Sequence, residues 1–204
     1  MSLVSERPGV DQPLLCLTFD DGPGPQTPAI LDVLAEHAAR GTFFVLGESV
    51  EGREEALGRT IADGHEIGNH THSHPHAMDM EDAELGHDIA RCQRELGGRP
   101  VLFRPPYGEE PLRCSRIAAE RGIPTTVLWS VDPRDFAEPD AAEIARVIVD
   151  GAQPGAIVDL HDAWPRVTST VADRTPTVDA LRIALPVLAE RGFRCVTVSE
   201  LLAA

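Results

Sequence analysis

Residues 14–45 read LLCLTFDDGPGPQTPAILDVLAEHAARGTFFV, and the way this stretch divides sets the fold class. Leu14 to Phe19 is a short apolar run of strand type, bounded by a turn rich in Gly and Pro. Thr27 and Pro28 supply a helix start, a capping hydroxyl followed by a proline in the first turn. Ile30, Leu31, Leu34 and Ala38 share one helical face, and Gly41 is placed to stop the helix before a second apolar run. The stretch therefore reads strand, helix, strand. The same joint of helix end, glycine and apolar run recurs at IADGHEIG (61–68), AAERGIPTTVL (118–128) and LAERGFRCVTV (188–198).

Counting such runs predicts seven strands, near 14–19, 42–46, 65–69, 101–104, 124–129, 156–160 and 193–198, with helices between them. Strands alternating with helices imply a parallel sheet, which an open doubly wound sheet and a closed barrel both satisfy. Pro186 falls within the apolar face of Val178, Leu181, Leu185 and Leu188 and is expected to kink the last long helix. With 204 residues, 42% of them hydrophobic, and no low-complexity linker, one domain over 1–204 is expected, its core at about 14–202.

The formal net charge is −15, from 33 acidic residues against 18 Arg and no Lys, so a nucleic-acid backbone or an anionic membrane surface would be repelled. Cys16, Cys92, Cys114 and Cys195 are far apart and read as reduced thiols, not a disulfide framework. The N-terminal MSLVSERPGVDQPLL has no basic start followed by a long apolar run, and no segment reaches the roughly 18 apolar residues of a membrane span. The expectation is a cytoplasmic protein.

The unusual residues collect at strand C-terminal ends: Asp20-Asp21 after the first strand, NHTHSH after the third, RPPYG after the fourth, SVDPRDF after the fifth and HDAW after the sixth. In barrels and open α/β sheets that edge holds the active site, so these clusters are predicted to converge. Five histidines fall within the twelve residues 65–76. His65 and His76 read as members of a solvated loop. His70 and His74, four apart, can face one point if the chain turns helically, and with one carboxylate they would make a divalent metal site; His72 would face elsewhere. A hydrolytic metal site needs one carboxylate as ligand and a second, free of the metal, as general base. Adjacent aspartates leaving a strand point in different directions, so one can do each job.

These motifs resemble those of the polysaccharide deacetylases, the group that includes chitin, chitooligosaccharide and peptidoglycan N-deacetylases. TFDDGP, HTHSH, RPPYG, VDPRD and LHD stand in the family's order, over about Leu15 to Leu202. The resemblance implies a distorted (β/α)7 barrel and hydrolysis of an acetamide by a metal-activated water. It makes Asp20 the general base and Asp21, His70 and His74 the ligands of one divalent ion, Zn²⁺ foremost, with Co²⁺, Ni²⁺ or Mn²⁺ as alternatives. His161 becomes the general acid that protonates the leaving amine. Arg104 orients Asp20, Asp135 pairs with His161, and the backbone N–H of Tyr107 faces the oxyanion. The implied partner is an N-acylated sugar or small-molecule amide. A non-haem iron oxygenase and a non-catalytic sugar-binding module are the competing classes. Asp132 reads as a turn residue, and Trp129 and Trp164 as core or rim.

Two positions depart from the family's pattern. Phe136 stands where a tryptophan is usual, and Asp159 where an apolar residue, commonly Leu, lines the acetyl pocket. Asp159 shares a strand face with His161 and is expected to point into the same pocket. A carboxylate there requires a partner, either an arginine, Arg166 being the nearest in sequence, or a polar group of the substrate.

Overall fold

A computed structural model describes residues 1–137, 140–165 and 173–204. Its strands are β1 (Ser2–Val4), β2 (Leu14–Asp20), β3 (Gly41–Val45), β4 (Glu66–Asn69), β5 (Leu102–Phe103), β6 (Thr125–Val127), β7 (Ile157–His161) and β8 (Arg194–Cys195). Its helices are α1 (Thr27–Glu36), α2 (Gly47–Val50), α3 (Glu54–Ala62), α4 (Asp82–Glu95), α5 (Pro111–Glu120), α6 (Ala141–Gly151), α7 (Thr175–Glu190) and α8 (Val198–Ala203). The strands run parallel in the order β1-β6-β5-β4-β3-β2-β7, and β8 pairs with the start of β2. Val131, just beyond β6, bridges in parallel to Val158 of β7, and Glu6 bridges to Ala156. These two joins bring the ends of the sheet together, giving the distorted parallel barrel with its helices outside.

All seven residues of β2 are buried, as a strand covered on both faces requires. Leu15, Leu17 and Phe19 enter the core layer shared with Ile30 and Leu34 of α1 and Leu181 and Leu185 of α7. Leu14 and Cys16 point the other way, into a barrel interior shared with Phe44, Val127 and Ile157. Thr18 and Asp20 continue that inward row toward the C-terminal end. The interior thus changes along one strand from an apolar plug to polar groups, which is what places chemistry at that end. Gly68 makes the plug possible, because a Cβ there would collide with the Phe44 ring.

Several local expectations are corrected. β1 lies outside the expected core and pairs with β6; three residues are too short to show an alternation. Residue 41 does not stop α1, which ends at Glu36 with Ala38 in the left-handed region (φ 50); Gly41 begins β3, where a Cβ would press on the Phe19 ring at 2.9 Å. Thr27 is not the cap of α1 either. Its hydroxyl accepts the Gly24 N–H at 2.7 Å and donates to the buried Asp162 carboxylate. The expected strand at 193–198 shortens to β8 because Thr197 caps α8, its hydroxyl accepting the Glu200 N–H. α7 runs unbroken through Pro186, which lies on the solvent side of the helix. All four cysteines are free and buried. Among the described residues no helix is long and apolar enough to cross a membrane.

Candidate active site

The loop after β4 brings His70 and His74 together, but not by the helical turn their spacing suggests. Thr71 (φ 71) and His74 (φ 54) both take left-handed backbone, a conformation that other contacts must hold in place. Asn69 Oδ1 accepts the Thr71 N–H at 2.9 Å, and Thr71 Oγ1 accepts the His74 N–H at 3.2 Å. Asp88 of α4 accepts the His72 N–H at 2.7 Å and the Ser73 hydroxyl at 2.9 Å. Asp21, also left-handed (φ 75), turns its Oδ1 toward the pair, 3.4 Å from His74 Nε2 and 3.6 Å from His70 Nε2.

Three features of this trio suit a divalent cation. His70 Nδ1–H donates to the Arg104 carbonyl at 2.8 Å, which leaves the Nε2 lone pair facing the two aspartates, 3.6 Å from Asp21 Oδ1 and 3.6 Å from Asp20 Oδ2. Burial holds His70 down to about 3 and His74, beside His70, down to about 2, so both imidazoles are neutral. Burial, with the Asp20 charge next in the same direction, pushes Asp21 up to about 7, and its buried Oδ1 has no hydrogen-bond partner among the described residues. The donor atoms of the three lie within 4.8 Å of one another, a set that fits Zn²⁺ or a similar ion with positions left open.

Asp20 has different company. Arg104, fully buried just beyond β5, donates from one nitrogen, Nη1, to Asp20 Oδ1, to Asp159 Oδ1 and to Thr18 Oγ1, each at 2.8 Å. Its Nε and Nη2 donate to the carbonyls of Val127 and Leu128, both at 3.2 Å, and its guanidinium carbon lies 4.2 Å above the Phe44 ring. The partner of Asp159 is therefore Arg104; Arg166 lies outside the described residues. Burial raises the pKa of both carboxylates against the pull of Arg104, and for Asp159 the Asp20 charge adds to the rise.

Across the cleft, His161 Nδ1 pairs with Asp135 Oδ1 at 2.8 Å, and Asp135 Oδ2 accepts both the His161 N–H at 2.9 Å and the Thr177 hydroxyl at 2.7 Å. Burial works against a charge on His161, yet Asp135 outweighs it, with help from Asp159 and Asp21, and raises the imidazole to about 10. Asp135 in turn stays below its ordinary value despite burial, held by His161, Arg174 and Thr177.

A cavity of about 320 Å³ joins these groups, lined also by Pro105, Tyr107, Trp129, Asp132, Phe136 and Trp164. The Tyr107 ring stacks on His76 with centroids 4.0 Å apart and meets His74 edge-on at 4.5 Å, so His76 is a rim residue and not merely a solvated one. His65 is buried, its Nδ1 accepting the Gly41 N–H at 3.1 Å. His72 faces a separate cavity beside Glu48, Arg91 and Glu95. Asp132 Oδ1 accepts the Arg134 N–H at 2.8 Å, a turn contact. Phe136 packs edge-on to His161 with centroids 5.5 Å apart.

Sequence reasoning passed over Arg174, Thr177 and Asp162. The side chain of Arg174 donates to the carbonyls of Ala163 and Asp135 and lies over Trp164. Asp162 occupies the space that a side chain at Gly22 would fill. The HDAW and DGP motifs carry the signal for Asp162, but in sequence its partner Thr27 reads equally as a helix cap.

A parallel barrel whose C-terminal rim carries a candidate metal trio, a second carboxylate on a buried arginine and a charged histidine has the framework of a carbon–nitrogen bond hydrolase. The chain belongs to the polysaccharide deacetylase family, whose model matches residues 8–126. It is 40% identical over 187 residues to a chitooligosaccharide deacetylase from Bradyrhizobium sp. (strain ANU 289), covering 87% of this chain and 85% of that protein. The Bc1960 peptidoglycan N-acetylglucosamine deacetylase superposes with a TM-score of 0.85 at 32% identity, covering 98% of this chain and 92% of that one. The Bacillus anthracis protein BA3943, described as a pseudoenzyme of carbohydrate esterase family 4, gives a TM-score of 0.84 at 24% identity, covering 98% of this chain and 68% of its own. That last likeness concerns the fold alone, so catalysis has to be argued from side chains.

Proposed function

We propose that this protein removes the acyl group from an N-acylated sugar, or from a small amide built like one, with Zn²⁺ held by Asp21, His70 and His74. The observation that carries the reading is the division of labour between the two adjacent aspartates. Asp21 has two neutral imidazoles beside it and no ion pair with an arginine among the described residues, only the more distant charges of His161 and Arg174, whereas Asp20 is held directly by Arg104. A bound ion would supply Lewis acidity toward the substrate carbonyl and toward a water. Asp20, free of the ligand set, takes the proton from the attacking water as the oxygen adds to the carbonyl carbon. Arg104 holds Asp20 in place from a site closed to solvent, and the Tyr107 backbone N–H is offered to the developing oxyanion. His161, charged through Asp135, gives its proton to the leaving nitrogen as the C–N bond breaks, which releases an amine and a carboxylic acid. The names of the relatives, which act on chitooligosaccharides and peptidoglycan, support a sugar over other amides. An oxygenase would use the trio but has no task for Asp20 or a protonated His161.

The test is acetate release from N-acetylglucosamine oligomers and from non-sugar acetamides by zinc-loaded protein, with chelator-treated protein as control. Chelator-sensitive release from the sugars is expected. Absence of release from every acetamide by protein carrying one ion per chain would contradict the reading.

A further inference from the structure

Asp159 lies one step deeper than the reacting groups. In the β2–β7 register Asp20 stands beside His161 and Thr18 beside Asp159. Two residues along a strand put Asp159 about 6.6 Å further into the barrel than His161. Its side chain still forms part of the cavity wall, together with Trp129. Oδ1 is taken by Arg104, whose single charge is shared with Asp20, while Oδ2 accepts no hydrogen bond among the described residues.

The groups above Asp159 dictate how a substrate lies. The acyl carbon must come between Asp20 and the metal trio. Its nitrogen must face His161 Nε2, because Nδ1 is held by Asp135. The His161 side chain is 15% exposed and marks the mouth of the cleft, whereas that of Asp159 is 5% exposed. The sugar therefore stays at the mouth, and the substituent on the acyl carbon points down toward Asp159. A methyl group there would cover Oδ2 without offering a hydrogen bond, which is unfavourable for a buried carboxylate. A hydroxyl in the same place would donate to it.

We propose that this cleft selects amides whose acyl group carries a hydroxyl on its α-carbon, the N-glycolyl group being the smallest, over the N-acetyl group, and that Asp159 is the specificity-determining residue. The inference rests on the hydrolase reading above. Atoms balance as in any amide hydrolysis: the water oxygen bonds to the acyl carbon, the C–N bond breaks, a proton passes to the nitrogen, and glycolate and the free amine leave. The hydroxyl stays on the acyl fragment throughout.

Glucosamine oligomers acylated with acetyl or with glycolyl release the same amine, so one assay compares them on zinc-loaded protein. Wild type should favour the glycolyl substrate in kcat/KM by about tenfold, the scale of one hydrogen bond to a buried carboxyl group that would otherwise lack a partner. Asp159→Leu should reverse the preference. Asp159→Asn, which keeps an oxygen for Arg104 and so guards against misfolding, should fall between. Equal or better use of the acetyl substrate by wild type, or a ratio unchanged in both variants, overturns the proposal. Calorimetric binding of glycolate and acetate gives a readout apart from turnover. Tighter glycolate binding that Asp159→Leu abolishes, without turnover of either amide, would support the subsite and overturn the hydrolase reading. Turnover of both amides at equal rates would do the reverse.

Discussion

Two clusters of carboxylate and histidine face each other across one cleft, Asp21 with His70 and His74, and Asp20 with Asp159 and His161. Their compositions are nearly the same, and their surroundings are opposite. The second carries its own positive charge, because Arg104 reaches both carboxylates and Asp135 keeps His161 protonated. The first has none of its own: its imidazoles are neutral, and Asp21 Oδ1 is buried without a hydrogen-bond partner among the described residues. A buried carboxylate requires a compensating cation. Arg104 supplies one on the Asp20 side, and on the proposed reading a metal ion supplies it on the other. On the proposed reading, the contrast teaches that ligand and base are told apart by which aspartate Arg104 reaches, and not by residue type.

The comparison breaks most completely if Arg104 is removed. Arg104→Met strands Asp20 and Asp159 without a cation, and by denaturant unfolding it should destabilise the fold by about 3–5 kcal/mol. Adding Asp159→Leu should return part of that loss, since one stranded carboxylate is then gone, and a double-mutant cycle measures the coupling. A stability equal to wild type in Arg104→Met would show that the second cluster does not depend on its internal cation. Asp20→Asn should lower kcat by roughly a hundredfold or more, the usual scale for a lost general base, with little change in KM.

Asp135→Asn sharpens the same contrast through pH. In its proposed role His161 is an acid only while protonated, and Asp135 is the main group that raises it to about 10 against burial. Without that carboxylate, burial dominates and the pKa falls, so the alkaline limb of the kcat profile should move to lower pH. At pH 8 the loss should be roughly tenfold, shrinking as the pH is lowered and the imidazole regains its proton. An alkaline limb that stays in place in Asp135→Asn would contradict the pairing. The smallest effect is expected at His72, which comes from the same histidine-rich stretch but faces another cavity. His72→Ala should leave metal content unchanged and kcat/KM within about twofold, as for substitutions away from the reacting atoms.

Much of this was legible in the sequence, for identifiable reasons. Runs such as Leu14–Phe19, with turns and helix starts beside them, are local signals, and a parallel sheet followed from their alternation, whereas its closure into a barrel was implied only by the family resemblance. The clustering of Asp20, Asp21, His70, His74, Arg104 and His161 followed from their places at strand ends. What escaped depends on contacts between distant positions. Thr27 looked like a helix cap because nothing nearby shows that Asp162, far along the chain, takes its hydroxyl. Arg166 seemed the natural partner of Asp159 because sequence distance is a poor guide to which arginine faces inward; Arg104 reaches it from just beyond β5, 55 positions away along the chain. The convergence of His70 and His74 was expected from a helical turn, but left-handed Thr71 and the Asn69 and Asp88 side chains produce it, and backbone hand cannot be read from residue spacing.

The most direct test of the central contrast is metal content per chain, measured by mass spectrometry on wild type, His74→Ala and Asp20→Asn after saturation with Zn²⁺ and gel filtration. The account predicts one ion per chain in wild type, loss of that ion in His74→Ala, and retention in Asp20→Asn. If Asp20→Asn loses the ion as fully as His74→Ala, or if neither variant does, the two clusters do not divide the work between metal and base.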